Sequence, residues 1–126
     1  MTKKILIVED HADSRSFLKT FIKSLGYRVL EASNGIEAIK MAQADGPDLI
    51  LMDLGMPELD GLSATKVIRG FEEGATVPII AVTAYGVDNG QALEAGCSEL
   101  LFKPLDPALI EQILGRYLGS GAAATK

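Results

Sequence analysis

Several apolar runs in this 126-residue chain end on residues that can do chemistry. The clearest is LILMDLGMPELDG at 49–61, where four apolar residues lead straight into Asp53, followed by Gly55, Pro57 and Gly61. A carboxylate at the end of a buried run is costly unless a cation or hydrogen-bond donor meets it. The run at 5–8 ends in Glu9 and Asp10, that at 79–82 in Thr83, and that at 100–102 in Lys103. Together these supply three carboxylates, a hydroxyl and an ammonium. At an effective dielectric near 20, one like-charge pair about 4 Å apart costs roughly 4 kcal/mol, so either the pKa values rise or a cation sits among the carboxylates. Oxygen-only ligands in a partly hydrated cleft suit Mg²⁺, with Mn²⁺ as a substitute. One carboxylate can then attack phosphorus, while Lys103 and Thr83 hold phosphoryl oxygens. Asp53 is the expected nucleophile, and Gly55 is expected to let the backbone approach the metal closely.

These groups can act together only if the fold brings their strand ends to one edge. Short apolar, β-branched runs at 5–8, 28–32, 49–52, 78–82 and 100–102 read as strands, several of them apolar throughout as in a parallel sheet covered on both faces. Phe17, Leu18, Phe21, Ile22 and Leu25 recur at helical spacing and are followed by Gly26, a C-terminal stop. Ile36, Ile39 and Ala42 predict a second helix closed by Gly46-Pro47, and Leu62, Thr65, Val67 and Ile68 a weaker third. Residues 88–95 form a poor fourth. The fifth is clear, with Asp106 as N-cap, Pro107 at its first position, then Ile110, Ile113, Leu114 and Tyr117. Strands alternating with helices predict right-handed crossovers and an α/β, doubly wound parallel sheet with helices on both faces. Such sheets bind ligands beyond the carboxyl ends of their strands.

The totals narrow the function further. A hydrophobic content of 48% and the chain length predict one soluble domain, here 1–118, with a flexible tail at 119–126. A net charge of -5 argues against direct contact with nucleic acid or an anionic membrane. One cysteine, Cys97, excludes an internal disulfide, fits a cytoplasmic location and reads as a small core residue. No apolar run approaches the ~18 residues of a membrane span. His11 follows the acidic pair, where a metal ligand is one reading, but it reads first as a surface residue at a helix start; Met41, Met52 and Met56 read as filling or loop residues.

The segments ILIVED, DLILMDLGMPELDG, PIIAVTA and LLFKP jointly resemble the receiver domain of two-component response regulators, over residues 3–118. The resemblance implies a flavodoxin-like, five-stranded sheet of order 2-1-3-4-5. It makes Asp53 the phosphoacceptor, Thr83 the switch hydroxyl and Lys103 the phosphate partner. It places Mg²⁺ on Glu9, Asp10, Asp53 and the Gly55 carbonyl, and it makes the Lys103-Pro104 peptide cis. It implies phosphorylation by a histidine kinase or histidine phosphotransfer protein. A downstream protein would be bound at the face of the fourth helix, fifth strand and fifth helix. The domain would phosphorylate and dephosphorylate itself with no separate substrate turnover, and with no output domain it would resemble a single-domain regulator. Two positions depart from the pattern. Leu100 stands three residues before the lysine, where an aromatic ring is usual, and Tyr85 stands two after the threonine. These departures shift the expected readout from a ring to the loop at 84–88.

Other functions on this fold fit less well. An FMN-binding flavodoxin needs a Ser/Thr/Gly-rich loop after the first strand, whereas EDHADS is acidic. No Gly-x-x-x-x-Gly-Lys occurs. A phosphatase of the haloacid dehalogenase type wants an Asp where Gly55 stands. The alternatives that stay open are a pseudo-receiver, binding proteins without phosphorylation, and a receiver cut from a hybrid kinase.

Overall fold

A computed structural model describes residues 2–56, 59–72, 74–84 and 89–119, Asn89 by its backbone. Ten elements alternate along the chain: β1 (Lys4–Val8), α1 (Ala12–Ser24), β2 (Arg28–Ala32), α2 (Gly35–Asp45), β3 (Leu49–Asp53), α3 (Gly61–Arg69), β4 (Ile79–Thr83), α4 (Asn89–Ala95), β5 (Glu99–Phe102) and α5 (Pro107–Leu118). All strand pairs are parallel and the order is β2-β1-β3-β4-β5, as the resemblance implies. Every residue of β3 and β4 is buried, which accounts for their unbroken apolar runs.

The period-two alternation of the strands divides the core into two layers. Ile5, Ile7, Leu49, Leu51, Ile80 and Leu101 face Leu18 and Ile22 of α1 and Ile110, Ile113 and Leu114 of α5. Leu6, Val8, Ile50, Met52, Ile79 and Ala81 face Ala38 and Ala42 of α2, Ala64 and Ile68 of α3, and Ala92 of α4. Cys97 is buried in this second layer, as its reading as a core residue requires.

Three helical faces differ from expectation. Phe17, Ile36 and Val67 are exposed (55%, 47% and 44%), although each belongs to an apolar pattern read as core-facing. On α2 and α3 the reason is close packing. The buried positions are Gly35, Ala38 and Ala42 on α2 and Gly61, Ala64, Thr65 and Ile68 on α3, and a Cβ on Gly35 would lie 2.3 Å from the Leu59 carbonyl oxygen. Small residues at the two helix starts let the backbones approach, with Ile36 and Val67 turned outward while Ile68 stays in the core. Leu100, read as suited to burial, is only partly buried against the second layer.

The helix ends follow local chemistry. Asn34, Asp60 and Asp106 cap α2, α3 and α5 by accepting from the Glu37, Ser63 and Ala108 amides. Gly26, at φ 101°, follows α1 in a conformation that side chains disfavour. The expected tail, apart from Gly119, lies outside the described residues, as do Pro57 and Tyr85.

At the edge opposite the catalytic candidates, Arg69 ties two loops together, those between α3 and β4 and between α4 and β5. Its Nε donates to the Gly96 carbonyl at 2.8 Å, and its Nη1 to the carbonyls of Gly74 (2.8 Å) and Val77 (2.6 Å). Hydrogen bonds from a charged donor are worth about 1.5–3 kcal/mol each, and unpaired carbonyls add their own cost. Arg69→Met is therefore expected to lower stability by about 3 kcal/mol in urea titrations. Metal affinity at the far edge of the sheet should stay unchanged.

Candidate functional site

The parallel sheet brings the chemistry-bearing strand ends to one edge. Asp53 is the last residue of β3 and Thr83 the last of β4, while Glu9 follows β1 and Lys103 follows β5. The ladders continue past the strands: the Glu9 amide donates to the Ala32 carbonyl at 3.0 Å, Leu54 to Val82 at 2.9 Å and Lys103 to Thr83 at 2.8 Å. The backbone thus fixes where each side chain leaves the sheet.

Glu9, Asp53 and Thr83 are buried, at 3%, 5% and 4% exposure. Lys103 joins the two carboxylates, its Nζ lying 3.2 Å from Glu9 Oε1 and 3.3 Å from Asp53 Oδ2. The other Asp53 oxygen, Oδ1, accepts the Gly55 amide at 3.0 Å. Glu9 Oε2 accepts the His11 amide at 3.1 Å. Burial pushes the Glu9 carboxyl above its ordinary pKa, with the Asp53 charge acting the same way against the His11 amide and Lys103. Burial would lower the Lys103 pKa, but Asp53 and Glu9 outweigh it and hold the ammonium charged. The Lys103-Pro104 peptide is cis, as expected from the resemblance.

The remaining candidates fall around this pair. Asp10 and Glu9 cluster with His11, offering ligand atoms within 4.8 Å of one another; Asp53 meets Glu9 through Lys103 and stands outside that triplet. His11 occupies the helix start at the N-cap of α1 and is exposed. Its Nδ1 also lies 3.5 Å from both Glu9 Oε2 and Asp10 Oδ1, closer to the acidic pair than its surface role required. The donor set fits a hard divalent cation: three carboxylates share the edge with one ammonium, and the most buried of them is strained toward protonation. A cleft of about 600 Å³ reaches Glu9 and Lys103 between walls of Phe17, Leu18, Pro104 and Leu105.

Two glycines lie beside Asp53 and meet it differently. A Cβ on Gly55 would meet only Asp53 Oδ1, at an ordinary 3.9 Å. On Gly61 it would lie 2.4 Å from the Asp53 carbonyl oxygen and 2.8 Å from Leu54 Cα. Gly61, at the start of α3, is therefore the residue that lets the helix seat against the end of β3.

The chain as a whole is similar to known proteins. A family model described as the response regulator receiver domain covers residues 5–115. The chain belongs to that family. The polar-differentiation response regulator DivK of Brucella ovis is 38% identical over 122 residues, spanning 94% of this receiver domain and 98% of the relative. The receiver domain of a sensor histidine kinase from Pseudomonas aeruginosa, solved with a magnesium ion coordinated in the active site cleft, is 40% identical. It superposes with a TM-score of 0.87, covering 94% of this chain and 99% of that one. Chemotaxis protein CheY4 of Vibrio cholerae gives a TM-score of 0.88 at 27% identity, over 93% and 99% of the two chains. The receiver fold and a place in two-component signalling follow. Among the described residues, no helix is long and apolar enough to cross a membrane.

Removing the ammonium should expose the repulsion that it offsets. Lys103→Met is expected to lower the stability of the metal-free protein by about 2 kcal/mol, less than the ~3–5 kcal/mol seen when a fully buried pair is broken, because Lys103 is one-third exposed. Adding Glu9→Gln to that variant should restore part of the loss. Thermal unfolding in EDTA measures both, and an unchanged melting temperature in Lys103→Met would refute the bridge.

Proposed function

We propose that this receiver domain accepts a phosphoryl group on Asp53 from a histidine kinase or histidine phosphotransfer protein, and that the modified form binds a downstream protein. The observation that carries this reading is the Lys103 ammonium held between Glu9 Oε1 and Asp53 Oδ2 at the carboxyl edge of the sheet. A carboxylate oxygen of Asp53 attacks the phosphorus of the donor phosphohistidine. A P–O bond forms as the P–N bond breaks, and the imidazole leaves with the electron pair. Lys103 follows the charge onto the phosphoryl oxygens, and Thr83, one residue beyond the position paired with Asp53, offers its hydroxyl to them. Glu9, Asp10, Asp53 and the Gly55 carbonyl would hold Mg²⁺, or Mn²⁺ in its place, which supplies positive charge to the transferring group. Hydrolysis of the acyl phosphate resets the domain without turnover of any other substrate.

The face of α4, β5 and α5 is the proposed downstream surface. Leu93 of α4 and Phe102 of β5 are 50% and 56% exposed there, on an edge strand. The donor protein is placed instead at the cleft beside Glu9 and Lys103, whose Phe17 wall is exposed. These surfaces involve proteins on both sides, with no part for nucleic acid or membrane, and suit a cytoplasmic protein.

Incubation with acetyl phosphate and Mg²⁺ should add one phosphoryl group, labile to acid and base, seen as a single mass increment. Asp53→Asn should remove the increment, and a stable modification persisting on that variant would overturn the assignment. No increment on the unaltered protein would leave a phosphorylation-independent binding module. Mg²⁺ should also raise the melting temperature by linkage, about 2.7 kcal/mol at a hundred times its dissociation constant, and Mn²⁺ should do the same.

The readout is testable separately. Leu100 is partly buried, so Leu100→Ala should cost less than the ~2–5 kcal/mol of a fully buried leucine and leave phosphorylation-dependent binding in place. Tyr85→Ala should change both phosphoryl lifetime and partner affinity. Dephosphorylation rates and binding titrations on the two variants decide between the positions, and the reverse pattern would assign the switch to Leu100.

A further inference from the structure

The loop that carries Glu9 and Asp10 is tied down by a residue outside the acidic site. β2 ends at Ala32, and the chain turns into α2 at its N-cap Asn34, so the β1–β2 ladder stops once the Glu9 amide has reached the Ala32 carbonyl. The Glu9 carbonyl is then met from α1: Arg15 Nη1 donates to it at 2.8 Å. The same guanidinium donates through Nε to Glu31 Oε1 at 3.2 Å, and Lys19, one helical turn on, holds Glu31 Oε2 at 2.9 Å. Glu31 pairs with Ile7 in the ladder, so this carboxylate is fixed to the strand next to the one that leads into Glu9. Lys19 and, after the opposing effect of burial, Arg15 hold its carboxyl below the ordinary pKa, and the anchor stays charged at neutral pH.

We infer that Arg15 is a positioning residue for the metal-binding carboxylates: by bridging Glu31 and the Glu9 carbonyl, it sets the peptide from which Glu9 and Asp10 project. This rests on the proposal that those carboxylates bind Mg²⁺. The fork geometry is what matters. A guanidinium serves two acceptors from one plane, whereas a lysine ammonium on a flexible stem does not reproduce that pairing. Outer partners that orient ligands typically affect metal affinity by about 10–100-fold when removed.

Positioning and simple charge predict opposite signs. Arg15 is a cation near a cation site, so if it acted only through its charge, Arg15→Gln would tighten Mg²⁺ binding and Arg15→Lys would leave it unchanged. Positioning predicts that both variants weaken Mg²⁺ binding, by about tenfold. Lys19→Met removes a cation from the same cluster without touching the Glu9 carbonyl, and should hold the affinity within about twofold of the parent.

The experiment is calorimetric titration of the full chain with MgCl₂, alongside amide exchange at Glu9 and Asp10 in EDTA and urea unfolding of each variant. Faster exchange at those two amides in both Arg15 variants, with weaker Mg²⁺ binding, supports the inference. A merely structural role would lower the unfolding midpoint and leave the affinity of the folded protein unchanged, which overturns it, as does tighter binding in Arg15→Gln. Should Arg15→Gln fail to fold, Arg15→Lys carries the test. Absence of Mg²⁺ binding in the parent protein overturns the metal reading itself, and the inference with it.

Discussion

Charge at the carboxyl edge of the sheet is out of balance, and the rest of the molecule is arranged around that fact. Glu9, Asp10 and Asp53 are drawn to one edge, and a single ammonium, Lys103, reaches two of them. Glu9 is almost wholly buried and cannot relieve the repulsion by turning to solvent, so its carboxyl is pushed toward protonation. Such a cluster does not assemble itself. It is held because β1, β3 and β4 are locked into parallel ladders with apolar layers on both faces, which keeps the strand ends in register whatever their side chains prefer. The edge is left able to accept further positive charge, and the proposed phosphoryl group would add negative charge beside Lys103, the one ammonium there among the described residues. A divalent cation and a phosphoryl group are therefore complementary occupants, each making the other less costly.

The strands were legible because their signal is local. A buried parallel strand is an apolar run, and the residue ending that run marks the functional edge, so Glu9, Asp53, Thr83 and Lys103 could all be read before any geometry was known. Helix existence was legible for the same reason, including the glycine stop after α1 and the Asp106-Pro107 start of α5. Helix orientation was less so. Ile36 and Val67 sit within apolar patterns, yet they turn outward while Gly35 and Gly61 seat the helix starts, because the space beside Leu59 and Leu54 admits no side chain at those two positions. Steric need of that kind appears only when two segments distant in sequence are superposed. Arg15 was missed on similar grounds: it reaches a backbone carbonyl six residues away and leaves no periodic trace.

The departure at Leu100 takes a different form once the strand is seen. Leu100 and Phe102 project to the same side of β5, since they are two residues apart. Leu100 lies against the layer beneath α4, while Phe102, one step nearer the functional edge, stands largely in solvent. An aromatic ring is thus present on this face, but already outside. It is a hydrophobic side chain already open to solvent, and the leucine below it has no ring to carry inward. On the proposed function, the readout then falls to residues after Thr83 rather than to a ring at position 100.

Arginine recurs at both ends of the sheet for one physical reason. Where strands stop, backbone carbonyls lose their ladder partners, and each must be met by water or a side-chain donor. At the amino edge Arg69 meets three such carbonyls and has no carboxylate among the hydrogen bonds described; burial lowers its pKa without depriving it of acceptors. At the carboxyl edge Arg15 meets one carbonyl and one carboxylate. The difference is mechanical. Arg69 closes loops onto one another and needs only acceptors, so neutral carbonyls suffice. Arg15 has to transmit a position from β2 to the loop after β1, and its other end must be fixed by something stronger than a neutral hydrogen bond. Glu31, held in the ladder and shared with Lys19, is that fixed point. A charge-assisted anchor at 34% exposure contributes little to stability by itself, since solvent screens it. Its consequence is directional: it restricts the guanidinium to one orientation, and through it the Glu9 peptide from which the carboxylates proposed to bind Mg²⁺ project.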